Sequence, residues 1–193
     1  MSLMPCFTLP NQAIAEGMII GRLLAGYGEL EVTMCSCLIA TEGMFDLPVR
    51  TLFDEWNAEK RIKIARKCLT ADYTKAGLQV ELAEALDDMD WCRKVRNQYA
   101  HCQWAWTTQE GLWFVNFEEL ARQPTPITSL TNNKRFLHVP LLMGQEEYFN
   151  YVKECFSHLE SVYRAWDQKC AAPRRSIHVL AKPSKILRPP MHN

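Results

Sequence analysis

The feature that most constrains the fold is a helical period in the apolar residues of three long stretches. Within each stretch, apolar side chains recur at spacings of three and four, which places them along one face of an α-helix. The stripes comprise Leu23, Tyr27, Leu30, Met34 and Leu38; then Leu82, Ala85, Met89, Cys92 and Tyr99; then Tyr148, Val152, Cys155, Leu159, Val162 and Trp166. The sequence therefore predicts a mainly α protein built on long amphipathic helices.

Local signals set approximate helix ends. The first helix is predicted from Asn11 to about Ala40, and glycines in its first half lower its helix propensity. Leu52, Phe53 and Trp56 predict a short second helix. Asn57 suits the N-cap of a third helix that runs to about Leu69, with an inward face made of Ile62, Ala65, Cys68 and Leu69. A fourth helix should follow Gly77, and Glu146 and Glu147 should lie near the start of the last.

A β insertion is predicted before the last helix. Trp104 and Trp106 alternate with small residues, the sequence TQEG can turn, and Trp113, Val115 and Phe117 alternate again, which is typical of a hairpin. The Pro-rich residues 123–126 (QPTP) break the regular secondary structure, and the sequence NNKRFLHVP predicts another short strand. The insertion should span about residues 103–140 within one helical domain of residues 1–170.

Charge is distributed unevenly along a chain of zero formal net charge. Residues 168–193 carry six Lys or Arg and no Asp or Glu, so the body is acidic and the end is basic. Repeated prolines and the lack of a helical period in residues 171–193 predict a basic, flexible tail, with a docking arm as the alternative. A neutral total argues against a protein that mainly coats nucleic acid, although it leaves room for one basic site.

Cysteine usage and hydropathy predict a reduced, cytoplasmic location. Eight cysteines are scattered along the chain and no secretory leader precedes them. The apolar stretch MIIGRLLAG is interrupted by Gly21 and Arg22, so we expect no membrane span.

The end of the fourth helix carries the residues with the most chemistry, RNQYAH at 96–101. On an ideal helix Asn97 and His101 share a face, whereas Arg96 lies nearer the apolar stripe. A polar face near a helix end is usually only solvated. A guanidinium beside an apolar stripe must instead be paired, extend outward, or face a second surface. The pattern therefore favours a functional site over a helix that merely ends.

The string VRNQYAH resembles the Arg-polar-x-x-x-His signature of HEPN domains, helical bundles that include many metal-independent ribonucleases. The order of elements is similar as well, with an acidic pair in GELE (Glu29 and Glu31) on the first helix and the motif late in a long helix. The resemblance implies an up-and-down helical bundle over most of residues 12–167, with the β-hairpin inserted before the last helix. Members often have Gly after the His, where this chain has Cys102.

What the resemblance implies is an endoribonuclease, either a toxin or a defence protein, that needs neither a cofactor nor a metal. His101 would take the proton from the RNA 2′-hydroxyl, Arg96 would bind the phosphate, and Asn97 would orient the substrate by donating a hydrogen bond. The products would carry a 2′,3′-cyclic phosphate. A symmetric homodimer would bring two motifs together, and a cognate antitoxin or regulatory protein would be a partner.

Three other interpretations remain open. The first is a non-catalytic helical module that binds a partner, as the mannitol operon regulator group of HEPN-like proteins is thought to do. The second is a metal site, although cysteines that are simply buried as free thiols explain the pattern better. Its ligands would come from His101, Cys92, Cys102, Cys35 and Cys37. The third is base stacking on Trp104, Trp106 and Trp113, although packing within the hairpin explains these side chains better.

Overall fold

The structure, a computed structural model, describes residues 13–107, 109–124, 126–127, 133–169 and 182–185. It is mainly helical, with a small three-stranded antiparallel sheet before the last long helix, and this confirms the predicted fold class. In chain order the elements of these residues are α1 (Ile14–Glu42), α2 (Asp46–Phe53), α3 (Ala58–Lys75), α4 (Gln79–Ala100), β1 (Cys102–Thr107), β2 (Gly111–Asn116), α5 (Phe117–Ala121), β3 (Arg135–Phe136) and α6 (Val139–Asp167).

Contacts divide the chain into two compact units. Among the described residues, unit 1 comprises those within 13–25, 94–147 and 184–185, and unit 2 comprises those within 26–93, 148–169 and 182–183. The three long helices α1, α4 and α6 contribute residues to both. Unit 1 contains the sheet, α5 and the RNQYAH motif, whereas unit 2 contains α2 and α3.

Unit 2 is a helical bundle with an apolar core. Most residues of the predicted stripes of α1 and α3 are buried there, including Leu30 and Met34 on α1 and Ile62 and Leu69 on α3. Tyr73 of α3 extends that stripe and stacks on Tyr163 of α6, with ring centroids 4.9 Å apart. Because this apolar face continues past Leu69, α3 runs to Lys75, six residues beyond its predicted end.

The N-cap prediction for α3 is confirmed. The Asn57 side-chain oxygen accepts hydrogen bonds from the backbone N–H groups of Glu59 at 2.9 Å and Lys60 at 3.1 Å. Two neighbouring predictions are wrong. Trp56 lies outside α2 and is 94% exposed, and Cys68 is exposed because it lies at the edge of the buried stripe instead of within it.

The two acidic residues of GELE have different surroundings in unit 2. Glu31 is buried and accepts a hydrogen bond from Arg61 Nη1 at 2.8 Å. Glu29 is exposed and pairs with Lys153 at 2.7 Å. Only Glu31 is therefore part of the interior of the bundle.

In unit 1 the three strands pair in the order β1-β2-β3, all antiparallel. The predicted hairpin and short third strand are confirmed. Gly111 has a φ of 74°, which glycine adopts without strain, and it begins β2 directly after the turn. Trp113 and Val115 are buried with Leu120 of α5 in a small apolar cluster.

Phe117 departs from the alternation predicted for β2. It is the first residue of α5 and is exposed, because Asn116 caps this short helix by accepting a hydrogen bond from the Glu119 N–H at 3.1 Å. The last helix also differs from its prediction, since it starts at Val139. Glu146 therefore lies two turns inside α6, where it forms an ion pair with Arg22 of α1.

The buried stripe of α6 is rotated from the predicted one. Val152 and Leu159 are buried as expected, but Phe156 and Tyr163 take the positions assigned to Cys155 and Val162. Trp166 is 40% exposed. The apolar face of α6 is wide, so more than one set of apolar residues follows spacings of three and four. This explains why the predicted set of buried residues was partly wrong.

The first helix is continuous over 29 residues. By length and composition alone it is apolar enough to cross a membrane, as a buried core helix or a signal sequence can also be. Core helices of soluble proteins meet the same criterion, and 44% of its most apolar window is buried. Of the tail predicted for residues 171–193, only residues 182–185 are described, and the rest lies outside the described residues.

Candidate functional site

The motif residues lie where α4 ends and β1 begins, within unit 1. Arg96 and Asn97 are in the last turn of α4, which ends at Ala100. His101 is the first residue after the helix and Cys102 starts β1. Asn97 therefore lies on the helix, whereas His101 lies in the turn that leads from the helix to the sheet.

Arg96 is partly buried, as its position beside the apolar stripe indicated. Its Nη1 donates a hydrogen bond to the Asn97 side-chain oxygen at 3.0 Å. Among the described residues no carboxylate pairs with Arg96. A guanidinium has five N–H donors in a planar fork, so most of them remain available to an anion.

Asn97 contacts the neighbouring motif residue. Its side-chain oxygen accepts a hydrogen bond from Arg96, so it orients the guanidinium. The amide nitrogen of the same side chain still offers two donors. Gln98 adds a third polar group, since its side-chain Nε2 is buried and donates no hydrogen bond within the described part of the chain.

His101 is exposed and lies near a carboxylate. Its Nδ1 is 3.7 Å from Glu118 Oε1, and the two side chains are 48% and 54% exposed. This distance exceeds that of a direct hydrogen bond, but a small rotation or one bridging water would connect the two groups. Glu118 can thus hold the imidazole by Nδ1 and leave Nε2 for a substrate.

Glu118 was not predicted as a site residue, because α5 itself was not predicted. A signal for this helix is nonetheless present in the sequence: Asn116 is followed three residues later by Glu119, the spacing of a helix N-terminus with a capping box. Recognising that spacing would have placed Glu118 in the first turn of a helix directly after β2.

Buried aromatic residues hold the motif in place. Tyr99, within the motif, donates a hydrogen bond from its hydroxyl to Gln145 Oε1 at 2.6 Å, and both residues are buried. Its ring lies 5.9 Å from that of Trp104 and 5.8 Å from that of Phe114. Burial raises the pKa of the Tyr99 hydroxyl, which therefore stays protonated. The last turn of α4 is accordingly fixed against β1 and β2.

Trp113 of the hairpin supports packing instead of base stacking. Trp113 is 5% exposed, and the Lys134 ammonium lies 4.4 Å from the centroid of its ring. Lys134 also pairs with Glu110 at 2.8 Å. A base could not reach a ring that is buried and already covered by a cation.

The described residues do not provide a ligand group for the metal-site alternative. No cluster of three or more His, Cys, Asp or Glu side chains suited to a metal occurs among the described residues. Cys35, Cys37 and Cys92 are buried in unit 2 and form no disulfide. Cys102, in unit 1, donates a hydrogen bond from its thiol to the Tyr99 carbonyl at 3.2 Å.

Comparisons with known proteins found no match: no protein-family model, no curated protein and no solved structure is similar to the chain. The resemblance to HEPN domains accordingly depends on the motif at residues 96–101 and on the order of the elements.

Proposed function

We propose that the protein is a metal-independent endoribonuclease of the HEPN type, with Arg96 and His101 at its catalytic centre. The observation that carries this proposal is the state of Arg96: it is partly buried at the end of α4 and bonded to an amide, with no carboxylate partner among the described residues. A structural arginine in such a place would normally be neutralised by an acid. An arginine that binds phosphate needs its donors kept available.

The chemistry follows from the residue types. His101 takes the proton from the 2′-hydroxyl of RNA, and the resulting oxygen attacks the adjacent phosphorus. The bond to the 5′-oxygen of the next nucleotide breaks, which yields a 2′,3′-cyclic phosphate and a 5′-hydroxyl. Arg96 stabilises the negative charge that develops on the phosphate oxygens, and Asn97 keeps its guanidinium in position.

A second proton donor is needed for the leaving 5′-oxygen, and a second copy of the motif can supply it. One chain offers a single imidazole in the motif, whereas a symmetric homodimer would bring two His101 side chains to one composite site. Glu118 assists by orienting His101. RNA is therefore the proposed substrate and a second copy of the chain the proposed partner, in a toxin or defence role in the cytoplasm.

A non-catalytic interaction module is the second candidate, and one feature of unit 2 favours it. Five large apolar side chains within residues 44–56 are exposed, namely Met44, Phe45, Leu47, Phe53 and Trp56. Apolar side chains concentrated in this way are typical of a protein-binding surface. A regulatory protein such as an antitoxin would bind there with or without catalysis at the motif.

The test is RNA cleavage in EDTA by the purified protein and by the variants Arg96→Ala and His101→Ala. We expect the parent to cleave and each variant to be slower by about 10²-fold or more. His138→Ala and Arg164→Ala replace an exposed histidine and an exposed arginine outside the motif, so they should cleave at the parental rate. Loss in all four variants would indicate damage to the fold.

Two further readouts separate the parts of the proposal. Cleaved ends should carry a 2′,3′-cyclic phosphate, which a metal-activated water would not leave. If two His101 side chains share one site, mixing the parent with an excess of His101→Ala should lower the activity per parental chain, because mixed dimers hold only one of the two imidazoles. Absence of cleavage on several RNAs, with dimer formation confirmed, would favour the interaction module.

A further inference from the structure

A buried carboxylate in unit 2 binds an ammonium group from the far end of the chain. Asp88 on α4 is 2% exposed, and each of its oxygens has a different donor. The Tyr148 hydroxyl donates to Oδ1 at 2.8 Å, and the Lys182 Nζ lies 2.5 Å from Oδ2. The negative charge of Asp88 is thus matched by a lysine from beyond α6.

Aromatic rings lie beside this ion pair. The Lys182 ammonium lies 5.8 Å from the centroid of the Tyr151 ring, within the range of a cation–π interaction. Tyr151 in turn lies 5.8 Å from Tyr148, whose ring is 4.2 Å from that of Trp91. A buried carboxylate beside aromatic faces is the combination that recognises alkylammonium groups.

The burial of the two partners differs sharply. The Asp88 side chain is 3% exposed, whereas that of Lys182 is 42% exposed. The lysine therefore reaches from the surface into a site formed by α4 and α6. Pro183 follows, and it restricts the preceding residue to an extended backbone, so the ligand is an extended Lys-Pro segment.

We propose that Asp88, Tyr148 and Tyr151 form a binding site for a lysine side chain, and that Lys182, followed by Pro183, occupies this site as a ligand of the same chain. Lys182 then anchors residues 182–183 to α4 and α6. The site goes beyond the proposed ribonuclease function and does not depend on it.

The same geometry sets the selectivity of the site. The Tyr148 hydroxyl donates to Oδ1, and the Lys182 ammonium approaches Asp88 at Oδ2. A guanidinium binds a carboxylate best through two parallel bonds to both oxygens, whereas an ammonium needs only one. Lysine is therefore preferred over arginine.

The experiment uses the full chain with Lys182→Ala, which empties the site, and a peptide of residues 180–187, LAKPSKIL. By calorimetry we expect the variant to bind this peptide at least about tenfold more tightly than the parent, in which Lys182 competes. The peptide LAQPSKIL should not bind, and LARPSKIL should bind several-fold more weakly than LAKPSKIL. Adding Asp88→Asn to Lys182→Ala should abolish binding.

A matched control is Lys153→Ala, which removes an exposed lysine paired with Glu29 on the same unit and leaves Asp88 occupied. It should bind the peptide no better than the parent does. Equal binding by the parent, Lys182→Ala and Lys153→Ala, or no binding by a folded Lys182→Ala variant, would overturn the proposal.

A second measurement covers the case in which Lys182→Ala does not fold because Asp88 is left without its cation. In the parent protein, ¹⁵N NMR of the lysine Nζ groups should find slower hydrogen exchange at Lys182 than at Lys153. The difference should disappear in Asp88→Asn. Exchange at Lys182 as fast as at Lys153 would contradict a bound ammonium.

Discussion

Replacing Arg61 by Ala tests the electrostatics of the unit 2 core. Arg61 Nη1 donates to Glu31 Oε2 at 2.8 Å, and its Nε donates to the Glu55 carbonyl at 2.6 Å. The Glu31 and Arg61 side chains are 10% and 18% exposed. Glu31 Oε1 has no hydrogen-bond partner within the described residues. Arg61 is therefore the main support for a buried negative charge.

The burial of this ion pair sets the loss in the free energy of unfolding that we expect for Arg61→Ala. Removing one partner of a buried ion pair destabilises a protein by about 3–5 kcal/mol, because the other charge is left without compensation. Since this pair retains some exposure, we expect the lower end, about 3 kcal/mol. For a chain of this size, that corresponds to a fall in Tm of about 6–12 °C.

Urea denaturation followed by circular dichroism at 222 nm measures the effect. The double variant Glu31→Gln/Arg61→Ala removes the charge as well and should recover a large part of the loss. Lys153→Ala breaks an exposed pair with Glu29 and should change stability little. A loss below about 1 kcal/mol for Arg61→Ala would refute the reasoning that Glu31 depends on it.

Three further predictions concern single positions. Asn57→Ala should lower stability by about 1 kcal/mol through loss of the α3 cap, measured by thermal denaturation, and an unchanged Tm would contradict the capping role. Cys68 is exposed and Cys37 is fully buried, so iodoacetamide should label Cys68 in the native protein and Cys37 only after unfolding, as mass spectrometry would detect. Burial raises the pKa of the Cys37 thiol to about 12, so the folded state retains a proton that the unfolded thiol releases above about pH 9. Stability should therefore fall as the pH rises from about 9 to 12, and urea titrations of Cys37→Ala should find a smaller fall.

The main helices could be predicted because their information is local. The spacing of Leu30 and Met34, or of Ile62 and Leu69, identifies an apolar face from the sequence alone. Asn57 marks a helix start by the chemistry of its own side chain. Each of these predictions needed only residues within a few positions of one another.

Other features depend on residues far apart in the sequence. Asp87 and Asp88 are adjacent and identical in type, yet only Asp88 is buried, because Tyr148 and Lys182 supply its donors. Glu118 approaches His101 only because β1 and β2 pair and α5 follows them. No local pattern contains such information.

The central claim is tested most directly by the initial rate of RNA cleavage in EDTA, measured for the parent protein and for His101→Ala at equal concentration and with matched circular dichroism spectra. The account predicts cleavage by the parent that leaves 2′,3′-cyclic phosphate ends and a rate lower by about 10²-fold or more in the variant. Equal rates for the two proteins would contradict it, because the cleavage would then owe nothing to the imidazole of the motif.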